Sequence, residues 1–168
     1  MSPGSKDTPE ALQKHVECWR CRQGSSNRKG TMNHPLHGTL HHVELWVKDL
    51  RRTQDSLGWL LETLGYVPFQ SWESGRSWRL GPTYIVVEQS SALTAADHDR
   101  CRPGLNHLAF HVTDAETVED LAARASRHGW RLLFPERHPH AGGGQHYAAY
   151  LEDTDGFEVE LVATTTGG

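Results

Sequence analysis

The sequence predicts an α+β fold built from two tandem βαβββ modules, and three observations carry that expectation. A strand-like alternation at residues 40–47 returns at residues 105–112. Each run is followed by a helix with an Asp cap and a terminal glycine, and each helix by three short strand segments. A shift of 65 positions lays Leu40 on Leu105, His42 on His107, Val43 on Leu108, Leu45 on Phe110, Val47 on Val112 and Asp49 on Asp114. Unrelated segments do not keep such register over a strand and a cap, so an internal duplication organises the chain.

In the first module, the strand from Leu40 places His41, Val43, Leu45 and Val47 on one face and His42, Glu44 and Trp46 on the other. Asp49 then caps a helix in which Leu50, Leu57, Leu60, Leu61 and Leu64 recur at helical spacing up to Gly65. Strands are expected near Tyr66–Phe69, Ser77–Leu80 and Thr83–Gln89, between Ser/Gly and Gly-Pro turns. In the second module, His107, Ala109 and His111 share one face of the first strand. Asp114 caps a helix carrying Val118, Leu121, Ala122 and Ala125 that stops at Gly129. Strands near Arg131–Phe134, His146–Glu152 and Phe157–Val162 follow, the first two separated by a Pro/Gly-rich insertion, Pro135–Gly144. Neither half has enough core alone, so residues 37–164 are read as one domain: module 1 over 38–90, a linker over 91–104 and module 2 over 105–163. Residues 1–36 lack a sustained apolar period and read as a flexible tail, as do 165–168. Met32 precedes the first ordered run, and a natural start there is an expectation.

Composition narrows the function classes. The 168 residues are 36% hydrophobic and 23% charged, with 17 Lys+Arg against 21 Asp+Glu and a formal charge of −4. There is no basic excess to neutralise phosphates or anionic lipid, so neither nucleic acid nor a membrane surface is an expected partner. No apolar run approaches the ~20 residues of a spanning helix, and residues 1–30 lack a signal peptide's apolar centre, which makes a cytoplasmic location the expectation. Three cysteines, two of them in the polar N-terminal stretch, do not form a disulfide framework. His15, Cys18 and Cys21 have only one CxxC between them, a weak zinc signal.

Histidine is the outlier, with 12 residues. The repeat singles out two of them: His42 and His107 occupy equivalent positions on the face opposite the core. A pseudo-twofold arrangement brings both imidazoles towards one cleft. Tyr84, Val86 and Glu88 share one face of the last strand of module 1, and Glu158, Glu160 and Val162 share one face of the last strand of module 2. Glu88 and Glu160 are read as a corresponding pair, offset by 72 positions because of the longer connection in module 2. Two imidazoles and two carboxylates at one cavity make a site for a divalent metal, with zinc, nickel, manganese and ferrous iron all admitted. Trp46, Trp59, Trp72 and Trp78 form an aromatic supply in module 1; Trp46 lies beside His42 and could stack on a planar substrate, while Trp59 and Trp72 read equally well as packing residues.

Three segments resemble the signature segments of the vicinal oxygen chelate superfamily: His41-His42-Val43-Glu44-Leu45, Leu105-Asn106-His107-Leu108-Ala109-Phe110, and Asp153-Thr154-Asp155-Gly156-Phe157-Glu158-Val159-Glu160-Leu161. That superfamily holds glyoxalase I, fosfomycin-resistance enzymes, type I extradiol dioxygenases, methylmalonyl-CoA epimerase and bleomycin-resistance binding proteins. The resemblance covers residues 38–163. It implies curled mixed sheets forming a metal-holding cup, with His42, His107 and Glu160 as ligands and Glu88 where glyoxalase I has its fourth. It also implies catalysis on a small metabolite whose adjacent oxygens chelate the metal. The leading expectation is a glyoxalase-type lyase or isomerase in which Glu88 or Glu160 moves the proton. Tyr150 lies where extradiol dioxygenases place a tyrosine, and His138, His140 or His146 could supply acid/base function, so an Fe(II) ring-cleaving dioxygenase is an alternative. A drug-binding protein is another, weakened by the full ligand set. The Gly142–Gly144 stretch reads as a lid or a plain connection. In many relatives modules pair across a homodimer, and the sequence leaves pairing within one chain equally open.

Overall fold

The computed structural model describes residues 36–94 and 97–164. The N-terminal tail before them, the Met32 start, the His15–Cys18–Cys21 group and the C-terminal tail all lie outside the described residues. The chain divides into two compact units, Met1–Thr39 and Leu40–Gly168; the second contains both modules.

Each module forms one four-stranded mixed sheet. In module 1, β1 (His42–Trp46) runs parallel to β4 (Thr83–Glu88); β3 (Gly75–Leu80) is antiparallel to β4, and β2 (Val67–Trp72) is antiparallel to β3. In module 2, β5 (His107–Val112) is parallel to β8 (Glu158–Ala163). There β7 (Ala148–Glu152) and β6 (Arg131–Leu132) complete the order β5-β8-β7-β6. The orders correspond strand for strand, as duplication requires. The sheets are not closed into a barrel.

The helices bear out the cap residues and depart from expectation between them. Asp49 accepts from the Arg52 amide at 3.0 Å and Asp114 from the Thr117 amide at 2.8 Å. In module 2, α3 (Ala115–Ala125) is a regular helix burying Val118, Leu121 and Ala125. Its counterpart is α1 (Leu50–Thr53), a π-helical turn (Gln54–Gly58) and α2 (Trp59–Thr63) in succession. The π turn sits where Trp78 of β3 crosses the helix: a Cβ on Gly58 would stand 2.7 Å from the Trp78 ring. Trp78 is buried there and its indole N–H donates to Glu62 Oε1 at 2.9 Å.

The two modules share one core. Leu45, Ile85 and Val87 of the first sheet, Val47 just beyond β1, and Ala149, Leu151, Val159 and Leu161 of the second sheet join the helix residues in a single buried cluster. Polar contacts tie the modules further. Arg52 reaches Asp155 at 2.9 Å, Ser56 faces Asp153 at 3.5 Å, and Trp59 stacks on His128 with ring centroids 3.9 Å apart. The rest of the Asp153-Thr154-Asp155-Gly156 turn is self-bracing, with Asp153 Oδ1 accepting from the Asp155 and Phe157 amides at 2.9 Å each.

Three local expectations are corrected. His41 precedes the first ladder pair and is released from the strand's alternation, so it is exposed and contacts rings on the His42 side rather than the core. Strand β6 is only two residues long because Phe134 turns out of line with a positive φ of 52°, although the Leu133 amide still donates to Tyr150 at 2.7 Å. Strand β7 begins at Ala148, since His146 belongs to the turn before it, its amide bonded to the Gly143 carbonyl.

Candidate functional site

Module 2 carries the denser constellation, on the sheet face opposite the core. Glu160 sits on β8 between Ala109 of β5 and Tyr150 of β7, and is only 5% exposed. One carboxylate oxygen lies 3.3 Å from His107 Nε2 and the other 2.5 Å from His146 Nε2. Burial pushes the Glu160 carboxyl up, but hydrogen bonds from Tyr150 and His146 and the neighbouring imidazoles outweigh it and hold it below the ordinary range. Tyr150 shows the reciprocal effect: burial first, then its bond to Glu160, push the phenol up to about 12. Glu158 pairs with His107 on the ladder; burial raises its carboxyl against the opposing pull of Arg100, 2.9 Å away.

The ring orientation of His107 follows from its neighbour. The Asn106 amide group donates to the Arg100 carbonyl at 2.9 Å, which turns its oxygen to His107 Nδ1 at 2.7 Å. An amide oxygen only accepts, so this contact requires a proton on His107 Nδ1. Nε2 is thereby the atom presented to Glu160.

Module 1 presents a different surface. His42 opens β1 with Nδ1 3.0 Å from His41 Nδ1, and its ring lies stacked on Tyr84, 5.0 Å away at 8°. Burial lowers the His42 pKa, His41 lowers it further, and Glu44 opposes both. Glu44 also accepts from the Trp46 indole at 2.8 Å. Trp46 is exposed on this face, as the sequence places it, whereas Trp78 is core.

The ladder registers correct one correspondence. On β1–β4 the rungs are His42/Tyr84, Glu44/Val86 and Trp46/Glu88; on β5–β8 they are His107/Glu158, Ala109/Glu160 and His111/Val162. Val86, not Glu88, is therefore the counterpart of Glu160. Glu88 lies two rungs, about 13 Å, along the strand from the His42 rung. The 72-residue offset misjudged the connection by two residues, and because the strand period is two the face stayed right while the rung did not.

The loop before β7 closes over the module 2 cluster. A Cβ on Gly142 would stand 2.6 Å from the Tyr150 hydroxyl and 2.7 Å from the His146 ring, so only glycine permits that approach. His138 turns away from Glu160: it faces Glu119 of α3 at 3.0 Å, and Tyr147 donates to the same carboxylate at 2.8 Å. His140 faces the His146 carbonyl at 3.3 Å.

Among the described residues, no three His, Cys, Asp or Glu side chains are gathered as a metal-holding group, and no hydrogen bond, ion pair or ring contact joins His42 or Glu88 to His107 or Glu160. His42 and the His107–Glu160 pair therefore make no direct contact with each other among the described residues. Sequence reasoning missed Glu44, Asn106 and Glu158. Glu44 and Glu158 were legible as facing neighbours of His42 and Glu160; Asn106 was legible only as the residue equivalent to His41.

Comparison with known proteins now bears on the family. Residues 41–150 match the family model of the Glyoxalase/Bleomycin resistance protein/Dioxygenase superfamily. The chain belongs to that superfamily. Its relatives include the uncharacterized protein YqjT of Bacillus subtilis (strain 168), 43% identical over 125 residues, covering 74% of this chain and 98% of that protein. The crystal structure of a candidate glyoxalase from Bacillus halodurans is 41% identical, with a TM-score of 0.74 over 79% of this chain and all of that one. A fosfomycin resistance protein, FosX, from Listeria monocytogenes, solved with Mn(II) and 1S,2S-dihydroxypropylphosphonic acid, shares the fold. It is 21% identical with a TM-score of 0.53, over 77% of this chain and 92% of that one. The tandem modules, strand order and histidines opening β1 and β5 are those expected of a superfamily member.

Proposed function

We propose that this superfamily member is a metal-dependent enzyme that moves a proton on a small, oxygen-rich metabolite, as a glyoxalase-type lyase or isomerase. His42, His107 and Glu160 would hold the divalent metal: zinc, nickel, manganese or ferrous iron. The donor geometry supports the fit. Two donors about 2.1 Å from one ion stand roughly 3.0–3.4 Å apart, and His107 Nε2, its lone pair free of the Nδ1 proton, faces Glu160 Oε2 at 3.3 Å. When bound, such a metal polarises the substrate's adjacent oxygens and stabilises a developing enolate.

The observation that carries the proton-transfer reading is the 2.5 Å contact between His146 and Glu160. His146 is partly exposed, so its ring can exchange a proton with substrate on one side while Glu160 accepts from it on the other. Burial and the neighbouring Glu160 keep Tyr150 a phenol at neutral pH, and Tyr150 in turn favours the ionised form of the buried Glu160 carboxylate. Gly142 brings the loop backbone against Tyr150 and His146, fixing where both rings sit.

We further propose that each cup is completed by a second copy of the chain, with His42 of one copy meeting His107 and Glu160 of the other, since the two make no direct contact within the chain. Metal analysis tests both parts. Native protein should carry about one ion per cup, and His42→Ala, His107→Ala and Glu160→Gln should each lose it. Mixing His42→Ala with Glu160→Gln chains regenerates an intact cup only in trans pairing, in about a quarter of cups at random assortment. No recovery on mixing places the cup within one chain; metal content unchanged in His42→Ala defeats the ligand set.

One observation favours a second reading. With Val86 on the rung of Glu160, module 1 supplies one ligand, and two histidines with one carboxylate are the facial triad of Fe(II) oxygenases. Oxygen uptake with catechols after anaerobic iron loading would select a ring-cleaving dioxygenase; none across a catechol panel, with activity under nickel or zinc, selects the lyase or isomerase.

A further inference from the structure

The residue before each candidate ligand histidine contacts that histidine's Nδ1. In module 2 it is Asn106, whose oxygen lies 2.7 Å from His107 Nδ1; in module 1 it is His41, whose Nδ1 lies 3.0 Å from His42 Nδ1. The two positions are equivalent under the 65-residue repeat. Neighbours within a strand point to opposite faces and do not meet in this way. Here they meet because β1 and β5 begin at the histidines themselves, leaving His41 and Asn106 just outside the pleat.

We propose that His41 and Asn106 are paired positioning residues that fix the tautomer and ring orientation of His42 and His107, so that both imidazoles enter the cup through Nε2. The inference rests on the metal reading above for its purpose, although the tautomers can be observed without metal. An imidazole whose Nδ1–H is committed to an acceptor has its lone pair on Nε2 and cannot rotate without losing that bond. Outer hydrogen bonds of this kind orient a ligand ring and raise its basicity. The backbone supports both acceptors. The Asn106 amide group is held by the Arg100 carbonyl, and the His41 carbonyl accepts from the Tyr84 amide at 3.2 Å. The acceptors differ in kind: an amide oxygen is an obligate acceptor, whereas the His41 nitrogen accepts only when its own proton sits on Nε2. Module 2 therefore holds its ligand in one tautomer more firmly than module 1 does.

The test uses full-length, metal-free protein labelled with ¹⁵N-histidine, with long-range ¹H–¹⁵N correlations reporting each ring's tautomer. The resonances are assigned from His42→Gln and His107→Gln. His107 should appear as the Nδ1–H form in wild type, should redistribute in Asn106→Leu, and should be restored in Asn106→Asp. The Asp variant keeps the acceptor but loses the amide donor to Arg100, so it separates the tautomer role from simple bracing of the linker. His41→Leu should do the same to His42, and His41→Asn, which copies module 2 into module 1, should make His42 uniformly Nδ1–H. Zinc affinity by chelator competition should fall about 10–100-fold in each Leu variant and stay within a few fold of wild type in Asn106→Asp and His41→Asn. An Nε2–H form of His107 in wild type, or Leu variants with unchanged tautomers, overturns the proposal. Wild-type protein that shows the expected tautomers but binds no zinc, manganese or nickel defeats the metal reading while leaving the positioning in place.

Discussion

The two modules share strand order, cap residues and a common core, yet their outward faces carry different chemistry. Along the first three rungs module 1 presents His42/Tyr84, Glu44/Val86 and Trp46/Glu88, while module 2 presents His107/Glu158, Ala109/Glu160 and His111/Val162. Module 2 gathers its acid/base groups about the buried Glu160 carboxylate, with Arg100 paired to the neighbouring Glu158 and the Gly142 loop packed against Tyr150 and His146. Module 1 offers an aromatic surface of Tyr84, Phe69 and Trp46 with the His41 and His42 imidazoles at its edge. Duplication fixes a backbone, and each copy is then free to specialise: one towards ionic chemistry, the other towards a flat apolar wall.

The sharpest way to break this comparison is to remove one carboxylate from each module. Glu160→Gln should reduce affinity for zinc or manganese by about 100-fold or more, because the carboxylate 3.3 Å from His107 is lost. Glu88→Gln, two rungs from His42, should change affinity less than about threefold, since outer groups at that separation act only through a screened field. Competition with a chelator of known affinity reads both. Equal losses would restore Glu88 as a partner of Glu160 and overturn the rung correspondence.

A second test concerns the helices. Gly58 in module 1 aligns with Ala123 in module 2, where the helix is regular. Ala is the better helix former by about 1 kcal/mol in the abstract. Gly58→Ala should nevertheless destabilise the protein by about 1–3 kcal/mol, because the added methyl meets the buried Trp78 ring at 2.7 Å. Denaturant unfolding measures it. A stabilised variant would mean that the π turn is not set by Trp78.

What was legible in the sequence follows from which signals are local. The caps at Asp49 and Asp114, the helix stops at Gly65 and Gly129, and the outward faces of β1 and β5 depend on near neighbours and were readable. The rung of Glu88 was not, because it depends on hairpin and loop lengths between Gly75 and Glu88 and between Tyr147 and Glu160, where two residues of slack move a side chain about 7 Å without changing its face. The π turn was hidden for a related reason: it answers to Trp78, 20 residues downstream of Gly58. The His146–Glu160 contact was foreseen only as a set of three loop histidines, and the turn geometry chose among them.

Titration offers a third test with a defined sign. Burial and the Glu160 carboxylate both disfavour the phenolate, so Tyr150 should stay protonated until about pH 12. A tyrosine raised in the folded state stabilises the protein fully below its unfolded value near 10, and that contribution disappears as pH rises through the folded value. Tyrosinate absorbance of wild type against Tyr150→Phe should isolate one late-titrating ring. In Glu160→Gln the titration should move down but remain above 10, because burial, the larger cause, persists. Module 1's Tyr84 is raised by burial and by Glu44, so Glu44→Gln should lower it while leaving Tyr150 unmoved.

The smallest expected effect lies where the modules touch. Arg124 of α3 pairs with Asp120 at 2.8 Å and sits over the Trp59 ring of module 1 at 5.9 Å, while the positions equivalent to the pair in module 1 are Asp55 and Trp59, which cannot form one. Both charges are largely exposed, so the ion pair is worth about 0.3–0.5 kcal/mol, and an exposed cation–ring contact adds about 0.5–1 kcal/mol. Arg124→Ala should therefore cost about 1 kcal/mol. Asp120→Ala should cost less than half of that, and their double-mutant cycle gives the pair alone. Raised salt should remove the Asp120 part and spare most of the Trp59 part, since a cation held against a ring also buries its alkyl stem. If the whole effect vanished in salt, Arg124 would be an ornament of its own helix, and the modules would be joined there only by the Trp59–His128 stack.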